Sequence, residues 1–127
     1  MLCAHGLSGQ RLNDVVRVTT LARLTYASSA WVGFLNAAHK DRINAVIRKL
    51  IRHEYLPPDQ PMFEQLSNTA DCRLFSSILS NNNHVLHKFL PSIKVTGYTL
   101  CLRAHNRQLP LVNSFDMQGF FARMLFA

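Results

Sequence analysis

Five Cys and His side chains in the second half of this sequence are possible zinc ligands: Cys72, His84, His87, Cys101 and His105. His84 and His87 stand three apart, and Cys101 and His105 four apart. Structural zinc sites are built from close Cys and His pairs, and no Cys-x-x-Cys occurs here. The expectation is no metal centre, with the histidines in ordinary polar contacts and Cys72 a small, half-buried residue ahead of Leu74-Phe75. Nucleophilic catalysis finds no strained Gly-x-Ser-x-Gly turn. The seven carboxylates are scattered, whereas two-metal phosphoryl chemistry needs them clustered, and no glycine-rich phosphate loop is present. These absences argue for a chain with no catalytic residue and no cofactor of its own.

The chemistry the sequence does offer is positive charge on one rigid face. Between Asp41 and His53, Ile43, Val46, Ile47, Leu50 and Ile51 recur at helical spacing. Arg42, Arg48, Lys49 and Arg52 fall on the opposite side, where they could meet phosphates or simply face solvent. A second basic stretch, Arg103 to Pro110, carries Arg103 and Arg107. The totals favour phosphate: 14 Lys and Arg against 7 acidic residues give a net charge of +7, which suits a polyanionic partner. Trp31, with Tyr26 and Phe34, could stack on bases. Set among Ala, Val and Leu, these rings read instead as core, with Trp31 as a structural anchor.

The remaining totals set the frame. At 127 residues the chain is one domain or part of one, and a hydrophobic share of 48% argues against wholesale disorder. Three widely spaced cysteines are not a disulfide framework and suggest a reducing, intracellular setting. The first residues lack a charged start followed by an apolar run, so no signal peptide is expected, and no apolar run is long enough to span a membrane.

The elements that must hold the cations can be read from pattern. Asn13-Asp14 is a candidate cap for a helix to about Ala27, apolar all round and so expected to be buried on nearly all sides; the β-branched run Val15 to Thr20 lowers its helix propensity and leaves an extended alternative open. Gly33 and Asn36 mark a break before the basic helix, which ends ahead of Pro57, Pro58 and Pro61. A helical turn is expected at Met62–Leu66, then a helix capped by Thr69 and running to about Ser80. Next comes a short helix after Asn81-Asn82-Asn83 with Val85, Leu86, Phe89 and Leu90 inward. Residues 92–113 lose helical period and read as extended chain around a turn at Thr96-Gly97. Ser114 can cap a last helix with Met117, Phe120, Phe121, Met124 and Leu125 on one stripe. The fold class expected is mainly α: about five helices in a small bundle, with an extended segment near 92–113, as an incomplete part of a larger fold.

Several stretches together resemble one family, the reverse-transcriptase polyproteins of non-LTR (LINE-like) retrotransposons, downstream of the polymerase palm. Leu24-Thr-Tyr26-Ala-Ser-Ser-Ala-Trp31-Val-Gly-Phe34 is similar to the family's Tyr-Ala-x-Pro-Ala-Trp-Trp-Gly stretch. Asp41-Arg42-Ile43-Asn44, Asp71-Cys-Arg73-Leu74-Phe75, Asn83-His84-Val85-Leu86-His87 and Leu90-Pro91 come next, in order. Tyr98-Thr-Leu100-Cys-Leu-Arg103-Ala-His105-Asn-Arg107-Gln-Leu109-Pro110 then precedes Phe120-Phe-Ala-Arg123-Met124-Leu125. The pieces span about residues 6–126. The sequence departs from the pattern at Ser29, Val32 and Cys101, where the family tends to have proline, tryptophan and arginine.

The resemblance implies a parent RNA-directed DNA polymerase and a chain comprising its thumb side and tail, a single partial domain over 1–127. In that division 12–56 is a thumb-like helical pair, 57–91 short helices, and 92–127 a basic loop plus C-terminal helix. The palm and endonuclease would be missing, so the chain alone would be no enzyme. It would be a truncated element copy, its partners nucleic-acid backbone and the absent palm. A self-standing basic helical module binding nucleic acid or protein, or a relic without function, stay open beside this reading.

Overall fold

The computed structural model describes residues 9–94, 105–111, 113 and 116–127. They are mainly helical, in line with the sequence pattern. Among the described residues no helix is long and apolar enough to cross a membrane. The chain divides into two compact units: one takes the sequence up to Ser28 together with Leu35–Ala70, the other Ser29–Phe34 together with Asp71–Ala127.

The first unit opens with α1, Gln10–Val16, which passes through a wider π turn, Arg17–Leu21, into α2, Ala22–Thr25. The backbone stays helical at both junctions. Leu12, Val16 and Leu21 are the buried side chains of this pass. Their spacing of four and then five residues matches an α turn followed by a π turn, so the widening keeps one apolar face aligned. Thr19 and Thr25 donate their hydroxyls to the carbonyls of Val15 and Leu21, four residues back. The expectation of burial on nearly all sides fails here. Val18 is 73% exposed, because one buried stripe accounts for the packing and the β-branched run around it faces outward.

Tyr26 leaves the helix with ψ 122°, and Ala27 takes φ 49°, turning the chain into α3, Ser28–Trp31, and a 3₁₀ turn, Val32–Phe34. Tyr26 is 80% exposed and Phe34 is exposed too, so the core assigned to these rings is corrected; Ser28 and Val32 are the residues buried in this stretch, and Trp31 is half-buried.

The basic helix, α4, is longer than its hydrophobic pattern, Ala37–Arg52, because Asn36 is its cap: the Asn36 Oδ1 accepts from the His39 N–H at 2.9 Å. After the prolines comes α5, Phe63–Ser80, one continuous helix in place of the expected turn and separate helix. Thr69 is not its cap. Its hydroxyl donates to the Gln65 carbonyl within the helix.

In the second unit the expected helix near 84–91 is only a 3₁₀ turn, His87–Phe89. Val85 and Phe89 are exposed instead of facing inward, since so short a turn offers no continuous face to bury. The extended character of the next stretch is present at its two ends. Ile93 and Arg107 form an isolated antiparallel bridge, with Lys94 N donating to Asn106 O and Gln108 N to Ser92 O. Thr96-Gly97, Cys101, Arg103 and the expected cap Ser114 lie outside the described residues. A 3₁₀ turn, Asp116–Gln118, leads into α6, Phe120–Phe126. Its buried positions are Ala122 and Leu125; Phe120, Phe121 and Met124 are half-buried and Met117 is exposed.

The second unit is pinned by Arg123 on α6. Its Nε donates to Gln118 O, one terminal nitrogen to Asp71 Oδ2 at 2.6 Å, and the other to Ser29 O at 2.9 Å. Asp71, at the α5 end of this network, is 3% exposed. A Cβ at Gly33 would fall onto the Gln118 carbonyl oxygen, so only glycine permits this approach. His105 packs edge-on to Phe75, whose ring also meets Phe120 edge-on. The Arg107 N–H donates to His105 Nδ1, and Nε2 lies 3.0 Å from the Leu125 carbonyl, so the ring carries its hydrogen on Nε2.

Candidate nucleic-acid interface

The inward side of α4 decides where its cations point. Ile47 is fully buried and Asn44 nearly so. Ile43, Leu50 and Ile51 are half-buried beside them. Arg42, Arg48, Lys49 and Arg52 are all exposed, and at 3.6 residues per turn they share an arc of roughly 120° opposite Ile47. Val46, counted on the apolar side, is 44% exposed and sits at the margin of that arc. Asp41 is the one acid on the arc, at its N-terminal end, so the last two turns present Arg48, Lys49 and Arg52 unmixed. Lys49 and Arg52 also lie in the final turn, where cations offset the negative end of the helix dipole.

Asn44 fixes the orientation of this face. Its Oδ1 accepts from the Phe63 N–H at 3.0 Å and its Nδ2 donates to Glu64 Oε2 at 3.1 Å. One buried amide thus caps the start of α5 from the side of α4, meeting one donor that the first turn of α5 leaves open, the Phe63 N–H, and holding the Glu64 carboxylate beside it. The Asn44 amide, the Glu64 backbone and the charge of Lys40 hold the Glu64 carboxyl below its ordinary range. With Asn44 turned inward and Asn36 engaged in capping, the exposed arc has no amide side chain to read base edges.

The helix ends in a Schellman turn. Glu54 N donates to Ile51 O and Tyr55 N to Leu50 O, with Glu54 at φ 59° in the left-handed position that usually falls to glycine. The turn brings the rings of His53 and Tyr55 together, centroids 6.1 Å apart and planes 31° from parallel.

The other expected contacts are not alike. Arg107 is half-buried and donates to the Pro91 carbonyl at 2.9 Å, a fixed structural tie. It belongs to the second unit, whereas the four cations of α4 belong to the first. Arg103 lies outside the described residues. Cys72 is exposed, a correction to its expected half-burial, because it sits on the outer side of α5 between Asp71 and Arg73. His84 accepts from the Leu86 N–H through Nδ1. Sequence reasoning missed the Asn44 hook, the Asp71–Arg123 pair and the His53–Tyr55 pair. The first two join residues 19 or more apart in sequence, and only the last left a local signal, two rings flanking the helix end. Comparisons with protein-family models, curated proteins and solved structures gave no match.

Proposed function

We propose that this chain is a nucleic-acid-binding helical segment, with α4 laid along the sugar–phosphate backbone. We further propose that it corresponds to the region after the palm in a LINE-like reverse transcriptase, contributing binding while the parent's palm carries out nucleotide transfer. The observation that supports the binding role is the exposed arc of Arg42, Arg48, Lys49 and Arg52 opposite the buried Ile47. Cations held on one rigid face neutralise phosphates and release counterions without needing base readout. The family assignment rests on the sequence resemblance. In that reading the palm is the packing partner, as the resemblance implies.

The test is a titration of duplex DNA at several salt concentrations. If all four cations meet phosphates, log K falls with log salt at a slope of roughly −3 to −4. Replacing Arg48, Lys49 and Arg52 with Ala removes most of that slope. A slope unchanged by the triple substitution removes α4 from the interface.

A further inference from the structure

We propose that His53 and Tyr55 form a stacking shelf for an unpaired nucleobase at the end of the basic face of α4, so that the site prefers single strands or strand ends to closed duplex. This rests on the nucleic-acid reading of that face and names the form of nucleic acid it takes. The Schellman turn brings together two rings, one and three residues beyond Arg52, the last cation of the arc. Both rings are open to solvent, Tyr55 by 37%. Their planes stand 31° from parallel with centroids 6.1 Å apart, and a base stacked on one ring would be the third planar group of the cluster. Glu54 takes the left-handed C′ position of that turn, at φ 59°, so the backbone that carries Tyr55 is fixed by the helix end. The arc itself reads no base edges, so phosphates bind along α4 and the first base free of pairing meets the shelf. Arg52, exposed and adjacent to His53 in sequence, is the cation that such a single-strand site would pair with its aromatic platform.

The experiment compares three probes of equal length: a single-stranded oligodeoxynucleotide, the same strand with abasic sites throughout, and a blunt duplex. Base stacking on one aromatic side chain is worth roughly five- to a hundred-fold in affinity. Tyr55→Leu is expected to lose that factor on the base-bearing single strand while changing the abasic strand and duplex by less than about two-fold. Tyr55→Phe, which keeps the ring, is expected to bind like wild type, and its far-UV spectrum together with that of Tyr55→Leu confirms folding. Equal losses on the abasic and base-bearing strands, or no loss on either, overturn the shelf. Wild-type protein that binds the duplex with the expected salt slope but gains nothing from bases overturns the shelf alone. Failure to bind any probe overturns the nucleic-acid reading together with it.

Discussion

Arg123→Met keeps the aliphatic stem of Arg123 and deletes its guanidinium, which tests whether the three-way tie in the second unit carries stability. Asp71 Oδ2 would lose a 2.6 Å ionic hydrogen bond, and the carbonyls of Ser29 and Gln118 would lose their donors. The Asp71 side chain is 4% exposed and that of Arg123 23%, so water can reach the vacated nitrogen positions more easily than the carboxylate. Stranding a buried charge costs about 3–5 kcal/mol, and the partial access on the Arg123 side favours the lower end, about 3 kcal/mol. Asp71→Asn keeps an oxygen acceptor and loses only the charge, for about 1–2 kcal/mol. In the double variant no charge is stranded, so its loss should fall short of the sum of the singles by about 2 kcal/mol. Such a coupling is large against a total stability of about 5–15 kcal/mol. Urea unfolding detected by the fluorescence of Trp31, the single tryptophan, reads it from the Ser29–Phe34 segment that Arg123 holds. Additivity within about 0.5 kcal/mol would show that the pair behaves as an exposed one and refute the reasoning.

Gly33→Ala should destabilise the second unit by about 1–3 kcal/mol, because the added methyl meets the Gln118 backbone carbonyl, which has no rotamer to yield; a midpoint within experimental error of wild type in the same urea assay would count against that approach. Asn44→Ala should cost about 1–3 kcal/mol through the orphaned Phe63 N–H and the released Glu64 carboxylate, and an unchanged urea midpoint would rule out that hook as a stabilising contact. Because the folded-state pKa of Glu64 lies below the ordinary value of 4.5, its contribution is present above that value and fades as pH falls through the lower folded-state one. A Glu64→Gln variant should therefore differ most from wild type near neutral pH, by about 1 kcal/mol or less for so accessible a group, and converge with it in acid; a gap that widens in acid would refute the linkage.

The legible parts of the sequence are those governed by local rules. The α4 pattern from Ile43 to Ile51 carries both the helix and its charged side, because period and charge lie within one element. Asn36 reads as a break and is the start of a helix, since a cap ends one segment and opens the next. Thr69 reads as a start and is interior, because a threonine hydroxyl bonds equally well to the carbonyl four residues back. The true start of α5 is completed by Asn44, 19 residues before Phe63, and no local reading supplies such a cap. Asp71 and Arg123 stand 52 apart, and a carboxylate among scattered carboxylates carries no mark of its partner. The stretch 84–91 has the right residue types for a helix but too few of them for packing to offset the cost of nucleation.

The π turn at Arg17–Leu21 has a consequence for how the length of this chain can vary. A π turn holds one residue more than the α turn it replaces, so it amounts to an insertion absorbed without rotating the helix on its far side. Shortened by one residue at Val18 or Thr19, the segment could close to a regular helix and still present Leu12, Val16 and Leu21 to the same neighbours. Versions of this segment differing by a single amino acid could then be interchangeable in packing, with the surplus residue carried as a loop is carried, but inside a helix.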